Sequence, residues 1–186
     1  VTGLSAALID LLDSLGVGHF ALLGHSLGGV VALQSALDHG DRIENLILYS
    51  TSSRGAMPYR HESFENTISK LEADGVEKTA ARIAATWFVD GKQAPNYPLC
   101  LEAGRGASLE ATIACLRNLP EWEVTARLGS LAMPTLVVCG DHDRSYGLAE
   151  TRAMVENIVD SKLMVIQGCA HNVHLEETAL FNKTVE

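Results

Sequence analysis

Three small groups of residues in this chain have the types and spacing to do chemistry. Ser26 lies in Leu22-Leu23-Gly24-His25-Ser26-Leu27-Gly28-Gly29. Asp141 and Asp143 follow Gly140, and His171 and His174 follow Gly168-Cys169-Ala170. A serine hydroxyl is a poor nucleophile at neutral pH unless a base takes its proton, and an imidazole suits that task. The imidazole in turn needs a carboxylate to fix its tautomer and stabilise its charged form. Along the chain the order is serine, aspartate, histidine, which provides a nucleophile, an acid and a base for acyl transfer.

Such groups work only if the fold brings them together. The apolar run Phe20 to Leu23 stops at Gly24-x-Ser26-x-Gly28 and passes into the helical run Val30 to Leu37. A strand, a sharp turn and a helix in this order predict a strained backbone at Ser26. Side chains two residues to either side would clash, so Gly24 and Gly28 both answer a steric need. The same turn puts the Leu27 backbone N–H beside the hydroxyl, near a helix N-terminus, where amides and the helix dipole favour a developing negative charge. The five-residue pattern alone is a weak signal, and its bland alternative is a Gly-rich strand-to-helix turn with an ordinary serine; the strand and helix around it and the two later groups favour a site.

Leu4, Leu8, Leu11, Leu12 and Leu15 recur at helical spacing before Gly16. A helix over Leu27–Asp38 and a strand over Ile43–Tyr49 follow, so the first fifty residues read α-β-α-β, the rhythm of a parallel sheet with crossover helices. From about Arg54 to Leu128 no strand is expected. Phe64, Ile68 and Leu71 predict one helix, Val76 to Trp87 a second, Leu109 to Leu116 a third and Trp122 to Leu131 a fourth, with Gln93–Pro98 as a loop. The α/β rhythm returns with a strand at Thr135–Cys139, a helix at Tyr146–Val159, a strand at Lys162–Gln167 and a helix at Glu176–Val185. The expected architecture is therefore an α/β core over 1–53 and 129–186 with an inserted helical cap over 54–128. In such a sheet, Asp141 or Asp143 and His171 or His174 occupy loops at the C-terminal edge, where α/β proteins place their sites.

At 186 residues, with 47% of them hydrophobic, the chain can bury one sizeable core. Its net charge of −9, spread without long runs, disfavours nucleic acid and anionic membrane as partners. No apolar stretch approaches the roughly 18 residues of a membrane-crossing helix. Cys100, Cys115, Cys139 and Cys169 lack metal-site spacing and read as reduced thiols, which points to the cytoplasm. No metal or other cofactor is expected, because the histidines are scattered and no carboxylate shares a helix with His171 at ligand spacing.

Together, Gly24-His25-Ser26-Leu27-Gly28-Gly29, Gly140-Asp141-His142-Asp143 and Gly168-Cys169-Ala170-His171 with His174-Leu175-Glu176 resemble the three signatures of the α/β-hydrolase superfamily. The resemblance covers almost the whole chain and has the cap where that family inserts one. It implies that Ser26 is the nucleophile, Asp143 the acid (the last position of G-x-x-D), His171 the base (the last position of G-x-x-H) and the Leu27 N–H an oxyanion donor. Asp141 is then a turn residue, His174 a structural residue of the last helix and Cys169 a packing residue. His25 and His142 are expected at the pocket wall or in local hydrogen bonds, and His19, His39 and His61 in solvated loops. Leu48–Ser52, Ala73-Asp74-Gly75-Val76 and Trp87-Phe88 are similar to 3-oxoadipate enol-lactonases and bacterial carboxylesterases, which implies His25, Trp87 and Phe88 as substrate-binding residues.

The resemblance also marks what is not in the sequence. The family fold has further strands before the first helix, and a loop after one of them carries a second oxyanion N–H, usually in a His-Gly motif. Nothing upstream of Ser26 matches it. The chain is expected to be the C-terminal portion of an α/β-hydrolase fold whose elbow strand is an open, apolar edge, prone to self-association or to pairing with the missing N-terminal segment. Losing one oxyanion donor costs roughly two to three powers of ten in turnover. The implied function is a serine hydrolase that cleaves a small-molecule carboxylic ester or lactone through an acyl-enzyme on Ser26. Its alternatives are a C–C bond hydrolase of ring-cleavage products with the same three residues, and a non-catalytic ligand-binding protein that keeps the fold.

Overall fold

The computed structural model describes residues 1–57, 60 and 62–186, so His61 lies outside the described residues. Four strands, β1 (Phe20–His25), β2 (Ile43–Tyr49), β3 (Thr135–Gly140) and β4 (Ser161–Ile166), form one parallel sheet in the order β1-β2-β3-β4. Their apolar runs follow from burial on both faces. On one face α2 (Leu27–Asp38) presses Ala32, Leu33 and Ala36 onto Leu46, Leu48 and Val137, with Met154 of α6 (Leu148–Glu156) beside them. On the other, Tyr49, Val138 and Ile166 pack against Cys169, Val173 of α7 (Val173–Glu176) and Phe181 of α8 (Thr178–Val185). Because all four strands run the same way, the turns after β1, β3 and β4 emerge on one edge, and these carry Ser26, Asp143 and His171.

β1 is an edge strand, as expected, with Leu23 44% exposed beside Leu4 of α1 (Thr2–Ser14). Its last turn shows which glycines the fold requires. A Cβ on Gly24 would stand 2.4 Å from the Gly28 carbonyl oxygen, so no side chain fits there. Gly28 corrects the expectation drawn for it: a Cβ there would meet nothing within 4 Å. The second tight position is Gly29, where the side chain of Thr51 would be 2.6 Å away.

Between β2 and β3 lie α3 (Phe64–Ala84), α4 (Tyr97–Arg105) and α5 (Leu109–Asn118). Ser63 and Ser108 cap α3 and α5 by accepting the N–H groups of Asn66 and Ala111. α3 breaks at Gly75 (φ 79°, ψ 174°), which separates the two helices expected on either side. Three expectations need correction. Gln93–Pro98 is not loop throughout, since α4 starts at Tyr97 with Pro98 in its first turn, where the missing N–H costs nothing. Trp122–Leu131 is not an α-helix. Val124 N–H bonds to the Ser53 carbonyl and Arg54 bridges Glu123, so the returning chain is extended and only Thr125–Ser130 winds into a 3-10 turn. The helix expected from Tyr146 begins at Leu148, because the N–H groups of Ser145 and Tyr146 bond to Asp143 instead. Among the described residues no helix is long and apolar enough to cross a membrane.

Candidate active site

Ser26 stands at the N-terminus of α2 with φ 54° and ψ −121°, a conformation that non-glycine residues adopt only when the surroundings impose it. Two contacts impose it here. Ser26 N–H donates to the Tyr49 carbonyl (3.0 Å), and the Thr51 hydroxyl donates to the Ser26 carbonyl (2.8 Å). Ser50, at the end of the neighbouring strand, is strained likewise (φ 44°), so the positive-φ non-glycine residues among those described share one sheet edge. Leu27 opens α2, and its N–H is the first amide of that helix.

The structure brings Asp143 and His171 together. Oδ2 of Asp143 accepts from Nδ1 of His171 at 3.0 Å, with both side chains at most 1% exposed. The other carboxylate oxygen accepts the N–H groups of Ser145 (2.8 Å) and Tyr146 (3.1 Å). Burial by itself raises the Asp143 pKa, but the His171 bond and charge and these two amides outweigh it and hold the carboxyl below its ordinary range. Since Nδ1 must carry the proton it donates, Nε2 of His171 is left to take one. Asp141 has a different position: Oδ1 accepts from Gly168 N–H (2.7 Å) and Cys169 N–H (3.3 Å), which ties the β3 turn to the β4 turn.

The loop bearing His171 is held from several sides. Its carbonyl accepts from the Tyr49 hydroxyl (2.9 Å) and from Nε2 of His25 (3.1 Å). Asn172 N–H donates to the Trp87 carbonyl, and Glu176 accepts the N–H groups of Ala170 and Val89. His174 interacts with the Tyr49 hydroxyl through Nδ1 at 2.9 Å. Burial, followed by the charge of His171, lowers the His25 pKa to about 3, so its ring stays neutral. Burial raises the Cys169 thiol to about 11, which suits a packing residue.

Above Ser26 opens a cavity of about 300 Å³, walled by Leu71, Val76, Ile83, Leu116 and Leu119 of the helical block and by Trp87, Arg60 and Tyr146. Tyr146 is 4% exposed, stacks on His171 (5.8 Å, 21°), and its hydroxyl faces the Ser26 side chain. Among the described residues Ser26 Oγ makes no hydrogen bond to His171. The expected binding residues separate. Trp87 lines the cavity, 5.7 Å from the His171 ring. Phe88 does not; it is wholly buried against Ala84, Ala94 and Tyr97. His25 is likewise off the cavity wall, stacked on Tyr49 at 4.4 Å beneath the His171 loop, and the His142 side chain is 56% exposed, away from the pocket.

Tyr49, Thr51, Tyr146 and Arg60 escaped the sequence reading. Tyr146 was in reach, since it follows Asp143 on the same turn. Tyr49 was hidden as one more apolar strand residue.

The profile of the alpha/beta hydrolase fold family matches residues 4–178. Among curated proteins, the 2-hydroxy-6-oxo-6-phenylhexa-2,4-dienoate hydrolase of Comamonas testosteroni is 28% identical, over 95% of this chain and 65% of its own length. The 3-oxoadipate enol-lactonase 2 of Acinetobacter baylyi is 26% identical, over 98% and 68%. The chain thus spans about two-thirds of the length of these relatives. An esterase from Exiguobacterium antarcticum superposes with a TM-score of 0.88 at 22% identity, over 97% of this chain and 70% of that one. The fold, the elbow geometry and the profile match agree: the chain belongs to the alpha/beta hydrolase fold family.

Proposed function

We propose that this protein is a serine hydrolase that cleaves a small carboxylic ester or lactone through an acyl-enzyme on Ser26. The observation that carries the reading is the buried Asp143–His171 pair beside a cavity whose floor is Ser26 on its strained turn. The Ser26 hydroxyl leaves its Tyr146 neighbour and gives its proton to Nε2 of His171 as Oγ attacks the substrate carbonyl. Negative charge on the carbonyl oxygen is met by the Leu27 N–H and the α2 N-terminus. Collapse of the tetrahedral intermediate returns the proton from His171 to the departing alkoxide and leaves the acyl group on Ser26. A water, deprotonated by His171, then attacks the acyl carbonyl, and the free acid departs as Ser26 recovers its proton. Asp143 holds the imidazole in the required tautomer throughout. No metal or cofactor enters these steps, and the cysteine spacing keeps the cytoplasm as the proposed setting.

Labelling with a fluorophosphonate tests the reading. The wild-type protein should label at Ser26 and hydrolyse 4-nitrophenyl acetate, and Ser26→Ala should do neither. A folded wild-type protein that takes no label would overturn it in favour of a non-catalytic binding protein. C–C bond cleavage with the same residues is the second reading, favoured by the similarity to a dienoate hydrolase. A vinylogous diketone turned over faster than the ester would select it.

A further inference from the structure

The wall of the cavity is largely apolar, yet among the described residues one cation opens onto it. Arg60 lies between β2 and α3, its guanidinium carbon 4.3 Å from the centre of the Phe64 ring. Among the described residues, its side-chain nitrogens donate to no acceptor, and Nη1 is shielded from solvent without a partner. Glu62, the nearby carboxylate best placed to neutralise it, is already taken by Lys70, Arg82 and the Thr67 hydroxyl. A second unmet group stands on the same wall: Thr79 Oγ1, buried on α3 with no partner. Buried donors are seldom left unmet, and a guanidinium cannot escape the cost by losing its charge. Its fork of N–H groups matches a carboxylate, and a single cation in an apolar chamber suits a monoanion of modest size.

We propose that Arg60 is an anion subsite of this cavity, and that the ester or lactone attacked by Ser26 carries a carboxylate bound by its guanidinium. This rests on the hydrolase reading above. The Thr79 hydroxyl serves a further polar group of the same substrate. Tyr146 lines the same cavity as Ser26 and Arg60, its hydroxyl facing Ser26 and interacting through charge with Arg60. The carboxylate therefore sits at the end of the substrate remote from the scissile carbonyl.

The experiment compares kcat/KM for monomethyl adipate and methyl hexanoate, which differ by one remote carboxylate. The wild-type protein should favour the anion. Arg60→Met should shrink that preference by roughly ten- to hundredfold, chiefly through KM, and Arg60→Lys should keep part of it. Urea unfolding of each variant separates lost recognition from lost folding, and Arg60→Lys keeps the test valid if Arg60→Met does not fold. A wild-type protein that labels with fluorophosphonate but prefers the neutral ester, or a preference that survives both substitutions, overturns the anion subsite and leaves the hydrolase reading intact. A folded wild-type protein that does not label overturns both.

Discussion

The two ends of the chamber over Ser26 are finished differently. At the sheet end, Asp143 accepts three N–H groups and His171 is held through its ring and its carbonyl. At the helical end, Arg60 Nη1 and Thr79 Oγ1 are buried without partners. An unmet buried polar group costs about 1–3 kcal/mol, so a stable fold tolerates few of them. At the sheet end Asp143 and His171 are held in a fixed geometry before any ligand arrives, which is what proton transfer needs, although Ser50 Oγ nearby is also buried without a partner. The unmet groups at the helical end are complete only when something enters. In the proposed reading, one end carries the reaction and the other selects what reacts.

The contrast breaks most severely at Asp143. Asp143→Asn keeps the shape but offers His171 an amide, and kcat/KM for 4-nitrophenyl acetate should fall about 10⁴-fold. Asp141→Asn removes an acceptor for two loop amides and should cost at most about tenfold. If the two variants ranked the other way, the acid would be Asp141. The next effect is steric. Gly24→Ala should lose about 3 kcal/mol in urea unfolding, because backbone stands where its methyl would go. Gly28→Ala meets open space on a helix and should be neutral or slightly stabilising. A large loss at Gly28 would mean that the turn is packed more tightly than its geometry indicates.

At the helical end Glu62 is held by Lys70, Arg82 and the Thr67 hydroxyl, and this carboxylate gives a pH-dependent test. Burial pushes the Glu62 carboxyl up, but Lys70, Arg82 and Thr67 together bring it down to about 2 from an ordinary 4.5. The folded state therefore binds fewer protons than the unfolded chain between those values. The contribution is present in full above 4.5 and is lost as the pH falls toward 2. Both cations keep solvent access, so Glu62→Gln should cost about 1–2 kcal/mol at pH 7. Urea unfolding should show this difference closing as the pH falls from 4.5. A gap that stayed constant with pH would point to packing instead of charge.

What could be read from the sequence divides along the same line. The elbow and the two loops bearing Asp141 or Asp143 and His171 or His174 follow from apolar runs that end in turns, because a parallel sheet delivers such turns to one edge; the choice of Asp143 and His171 rests on the resemblance to the family's signatures. Gly28 was misjudged because spacing cannot tell which glycine the backbone crosses; Gly24 and Gly29 are the crowded ones. The helical block was legible as helices but not as a wall. Periodicity shows which face of α3 is apolar, yet not that Thr79 on that face goes unpartnered, nor that Arg60, outside any helix, turns into the cavity. Phe88 failed for a related reason: an aromatic beside Trp87 can as well pack inward among Ala84, Ala94 and Tyr97. α4 was lost because Pro98 was read as a breaker when it occupies a first turn.

The smallest effect probes the residue that joins the two ends. Tyr146 stacks on His171, and its hydroxyl faces Ser26, which among the described residues has no hydrogen bond to His171. Burial raises the Tyr146 pKa to about 12, so the group stays neutral through the working range. In the proposed mechanism it competes with His171 for the Ser26 hydroxyl before substrate binds. Tyr146→Phe keeps the ring against the imidazole and removes only that competitor. The rate of fluorophosphonate labelling should then rise by roughly two- to tenfold, the range of one neutral hydrogen bond. A fall of similar size would mean that the hydroxyl assists the attack, which would move Tyr146 from the selecting end of the chamber to the reacting one.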